Sequence, residues 1–89
     1  MRLGRVSGTV HATVKDAQLT GRALLLVDVT DGAGKVLEPA RIAVDTCGAG
    51  VGDVVMITEG SAARLPTGMA GAPVDAAIIA VIDSVSVEQ

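Results

Sequence analysis

Eighty-nine residues, a net charge of −3 and only 19% charged side chains set the bounds. An acidic chain with no Phe, Tyr or Trp does not read as a nucleic-acid binder: duplex contact needs a surplus of Lys and Arg, and single-strand contact needs aromatic platforms. A single cysteine and a single histidine, Cys47 and His11, leave no intrachain disulfide and no dedicated zinc site.

The first ten residues, MRLGRVSGTV, contain no continuous apolar stretch, so no signal peptide is expected there. From residue 5 to 15 the chain alternates strictly. Val6, Gly8, Val10, Ala12 and Val14 fall on one face, and Arg5, Ser7, Thr9, His11, Thr13 and Lys15 fall on the other. This predicts a long half-buried strand, with His11 as an ordinary residue of its polar face. Gly4 and Gly8 share the inward parity, where glycine marks a bend or a close backbone approach in a small barrel. Residues 15–21 (KDAQLTG) read as a loop. Residues 23–27 (ALLLV), followed by Asp28, Val29 and Thr30, read as a strand with an apolar residue on both faces. Asp31, Gly32, Ala33 and Gly34 form a hairpin turn.

Residues 41–46 (RIAVDT) predict a third strand and residues 54–58 (VVMIT) a fourth. Residues 60–64 (GSAAR) predict one helical turn with Ser61 as its cap. Two prolines and two glycines make residues 65–73 (LPTGMAGAP) a loop. Residues 76–87 close the chain as a last strand. Its apolar stretch, residues 76–82, is the longest in the sequence and is too short to span a bilayer.

Five strands, one helical turn and no long helix predict an all-β fold: a small, OB-like five-stranded β-barrel occupying residues 1–89 as one domain. A domain of this size buries little surface alone. With 49% apolar residues and neither disulfide nor metal to staple it, the expected extra burial comes from partner subunits. An unpaired cysteine without an export signal fits a reducing cytoplasm.

The stretch TCGAGVGD, residues 46–53, poses the one motif question. A phosphate loop joins a strand to a helix whose N-terminus faces the anion, and the Walker form ends in Lys followed by Ser or Thr. Here the last glycine is followed by Asp53 and a predicted strand, and the glycines are spaced G-x-G-x-G. Phosphate binding is therefore not expected. The glycines are read as a tight strand-to-strand connection that allows another backbone to come close.

Residue by residue, the chain resembles the pentameric vertex proteins of bacterial microcompartments, the ethanolamine-utilisation and carboxysome vertex proteins. The resemblance rests first on Gly8-Thr9-Val10, Thr13, Lys15-Asp16, Leu19, Gly21 and Leu24-Leu25. It continues in Asp45, residues 48–52 (GAGVG) followed by an acid, residues 60–64 (GSAAR) and residues 73–83 (PVDAAIIAVID). Asp53 stands where the family often has Glu. Cys47 stands where an aliphatic residue is expected, and it is read as a small buried hydrophobe.

The resemblance implies an OB-like barrel assembling into a homopentamer that caps the corners of a polyhedral shell in the cytoplasm, beside hexameric shell proteins. A five-fold ring uses heterologous contacts, one patch against a different patch. Leu24, Leu25, Leu26, Arg64, Asp75 and Ile79 are the candidate subunit-interface residues, with Arg64 expected to pair with an acid across the interface. Gly48, Ala49 and Gly50 are the candidate axial-pore loop. No catalytic constellation, cofactor site or metal site is read in the chain. Asp28, Asp31, Asp45, Asp53, Asp75 and Asp83 are assigned to solubility, turns, or pairing with Arg41 and Arg64. The alternative is an OB-like binding module for a small ligand or an oligonucleotide.

Overall fold

The computed structural model describes residues 1–12, 17, 21–65 and 75–86. Five strands appear in chain order: β1 (Arg2–Val10), β2 (Ala23–Thr30), β3 (Val36–Asp45), β4 (Val54–Glu59) and β5 (Ala76–Val81), with a 3-10 turn over Gly60–Arg64 between the last two. They close into a barrel in the order β1-β2-β3-β5-β4, and β4 returns to β1. Neighbours are antiparallel except β3 and β5, which run parallel and meet only at Val44↔Ala77 and Asp45↔Ile78.

Strand ends follow the supply of partners. β1 stops at Val10 because β2 begins at Ala23 and its pairing ends at Val10↔Leu24. His11 thus lies just past the strand, exposed, with Nε2 3.0 Å from the Thr9 hydroxyl. β5 stops at Val81, opposite Val55, near the start of β4, and one further bond, Ile82 N–H to Val54 O at 2.7 Å, finishes the ladder. β3 begins five residues before the sequence suggests. Pro39 conceals this, being a residue expected only at edges and bulges. Two register irregularities in the β2–β3 ladder lie between Val27 and Thr30, Ala40 adopts φ 60°, and the Asp28 carboxylate accepts the Ala40 N–H at 2.9 Å.

The turn between β2 and β3 is organised by Asp31. Its Oδ1 accepts the N–H groups of Ala33 and Lys35, both at 2.9 Å. The 3-10 turn forms where expected, but Ser61 does not cap it. Glu59 is the N-cap residue and makes no side-chain capping bond, so Ser61 sits inside the turn. The expected loops at 15–21 and 65–73 lie largely outside the described residues. The last strand, expected to run to residue 87, ends at Val81, because β4 offers no partner beyond Val54, and residues 82–86 are not strand.

Inward-facing aliphatics fill the barrel. Val6, Leu25, Val27, Val29, Ala43, Val55, Ile57, Ala76 and Ile78 form one cluster. Val44, Ala77 and Ala63 form a second with the partly buried Leu24: here the 3-10 turn lays Ala63 on the outer face of β2, β3 and β5. One reason the strands read as apolar on both faces is therefore internal.

Gly4 pairs with Val29 on one side and Val55 on the other. A Cβ there would stand 2.5 Å from Val27 Cγ1 and 3.0 Å from the Asp28 carbonyl oxygen. Gly8 follows a bulge at Ser7, and a Cβ there would find only ordinary contacts with Leu26 at 3.8 Å or more. Gly4→Ala should therefore destabilise the fold by about 1–3 kcal/mol through overpacking. Gly8→Ala should stay within about 1 kcal/mol of the parent, the ordinary cost or gain of a glycine in a strand. Urea unfolding followed by far-ultraviolet circular dichroism checks both.

Candidate functional site

The glycine loop, residues 46–53, leaves the end of β3 and returns at the start of β4. Two carboxylates hold it. Asp45 accepts the N–H of Cys47 through Oδ1 and that of Ala49 through Oδ2, each at 2.9 Å. Asp53 Oδ2 accepts the Gly50 N–H at 2.8 Å. The Asp53 N–H reaches Gly50 O at 3.0 Å, and the Gly52 N–H reaches Val6 O at 2.8 Å. The N–H groups of Cys47, Ala49, Gly50, Gly52 and Asp53 are thus occupied by the chain's own oxygens and are not presented to a phosphate. Gly48 (φ 74°) and Gly52 (φ 93°) are left-handed, with nothing within 4 Å of a Cβ at either. Backbone conformation, not crowding within the chain, asks for glycine there. Ala49 packs against the barrel core.

Cys47 corrects the sequence reading: it is exposed, not a buried hydrophobe. It lies two residues past β3, where the loop turns outward, with Sγ 3.4 Å from Thr46 Oγ1. Thr46 donates its hydroxyl to the Ile78 carbonyl at 2.6 Å, and Cys47 Sγ lies 3.9 Å from the same oxygen.

A four-membered ion network lies at the other end of β3. Arg2 Nη1 reaches Glu38 Oε1 at 2.9 Å, and Arg41 Nη1 reaches Glu59 Oε2 at 2.8 Å and Glu38 Oε2 at 3.3 Å. The circuit closes electrostatically between Arg2 Nε and Glu59 Oε1 at 3.8 Å, too long for a hydrogen bond. Glu59 Oε1 is buried and has no hydrogen-bond partner. Hydrogen bonding and charge from Arg2, then Arg41, hold the Glu38 carboxyl below its ordinary 4.5. The Glu59 hydrogen bond raises Arg41 above its ordinary value. Arg41 therefore pairs with glutamates, not with the aspartates expected from sequence, which are largely engaged with backbone N–H groups. The missed signal was parity: Arg2 precedes Gly4 by two and Glu59 follows Ile57 by two, so both continue the inward-facing set to a strand end.

Among the described residues no three His, Cys, Asp or Glu side chains gather as metal ligands.

This barrel, with its loop and turn, is matched by known proteins over nearly its full length. A sequence profile of the family described as ethanolamine utilisation protein EutN/carboxysome covers residues 1–83. The carboxysome shell vertex protein CcmL of Synechococcus elongatus is 46% identical over 88 residues, 99% of this chain and 89% of that protein. The chain belongs to this family.

Solved EutN/carboxysome-family structures superpose closely. CcmL of Gloeobacter violaceus gives a TM-score of 0.92 at 42% identity, covering 99% of this chain and 91% of that one. GrpN of Rhodospirillum rubrum, described as a pentameric microcompartment shell protein, gives 0.88 at 35% identity over the whole of both chains.

The candidate contact residues of this family member divide by parity. Leu24 and Leu26 face outward and are half-buried, and Ile79 is half-buried on β5. Leu25 is only 5% exposed; it points into the barrel and is a core residue, not a surface one. Arg64 and Asp75 are exposed beside the 3-10 turn, where the Asp75 carbonyl accepts the Gly60 N–H at 2.8 Å.

Two outcomes follow. A carboxyl with a lowered folded pKa contributes stability above its unfolded value and loses it as pH falls through the folded one. Stability should therefore drop below pH 4.5, the ordinary value for Glu38, and Glu38→Gln should flatten that drop in urea titrations at successive pH values. Asp45→Ala removes the acceptor of two N–H groups and should cost about 1–3 kcal/mol, with faster amide exchange across residues 47–50.

Proposed function

We propose that this chain is a structural shell protein whose homopentamers cap the vertices of a polyhedral bacterial microcompartment in the cytoplasm. Pentagons at the corners give curvature to a shell of flat hexagonal tiles and close it around encapsulated enzymes, with hexameric shell proteins as the flanking partners. The observation that carries this reading is the near-complete match, in sequence and in fold, to proteins described as shell vertex proteins. The chain's role is in this reading architectural, not catalytic.

The outer surface supports it. Leu24, Leu26 and Ile79 offer apolar area to a neighbouring subunit. Arg64 is exposed at the end of the 3-10 turn, and among the described residues no carboxylate lies within salt-bridge distance of it. It is proposed to meet an acid of the adjacent subunit. Gly48, Ala49 and Gly50 are proposed to approach the five-fold axis as a preformed loop.

Native mass spectrometry of the purified protein tests the reading, and with no Trp or Tyr in the chain mass is also the better observable than near-ultraviolet absorbance. A pentamer is expected. A monomer at micromolar concentration overturns the reading. Arg64→Ala should shift the distribution toward smaller species, and an unchanged pentamer would remove Arg64 from the interface.

A further inference from the structure

We draw no further inference here: the strongest candidate, the half-open cavity between β1, the β2–β3 turn and the residues that follow β5, is lined by one cation, Arg5, and two acids, Asp31 and Asp83, a balance that selects no class of ligand, and nothing in the structure shows what covers it.

Discussion

Barrel closure at the β3–β5 seam is the constraint around which the rest of this structure is arranged. Every other junction is an antiparallel ladder of four or more residue pairs. This one is parallel and has two. Backbone hydrogen bonding cannot hold the β3 side of the barrel alone, and side chains complete it. Thr46 anchors to the Ile78 carbonyl just past the seam, Ala63 is pressed over Val44 and Ala77 from outside, and the Arg2–Glu38–Arg41–Glu59 circuit ties the half of β3 that β5 does not reach to the start of β1 and the end of β4. Isolated surface ion pairs contribute little, but a network of partly sheltered charges in fixed geometry is the exception.

The two ends of the barrel are finished in different chemistries. At one end alternating charges continue the inward-facing parity of the strands. At the other, Ala49 sits against the core and two aspartates clamp the loop that carries it. Both devices use carboxylates as acceptors, which is where much of the chain's acidity goes. Asp28, Asp31, Asp45 and Asp53 all accept backbone N–H groups in turns or bulges, so the net negative charge is in good part a record of how the loops are built.

What the sequence made legible was periodicity and punctuation. The ALLLV stretch of β2, the Asp31 hairpin and the GSAAR turn stand where the residues place them, and β1 keeps its alternation but runs from Arg2 to Val10, starting before and ending before the stretch read from the sequence. The early half of β3 was not legible, because Pro39 and the irregular register around Ala40 interrupt the alternation. The ion network was hidden because its members are distant in the chain and become neighbours only when the barrel closes. Cys47 was misjudged because residue type alone does not say which way a loop turns. Leu25 was placed on the surface because an apolar run of five does not reveal which parity faces in. The family, by contrast, was carried by short fragments in fixed order, which survive even where geometry cannot be read.

The seam also has a kinetic consequence. β1, β2 and β3 form a meander of sequential antiparallel pairings, while β4 must return to β1 and β5 must pair in parallel with β3, both over longer stretches of chain. Local pairings form early and distant ones late. The meander is therefore the natural first-formed unit, and the β5 junction the last step and the first to open. A chain caught before that step presents a three-stranded sheet with bare rims, the species most exposed to misassociation. Rapid closure, and rapid capture of the closed subunit by its neighbours, are then two parts of one safeguard.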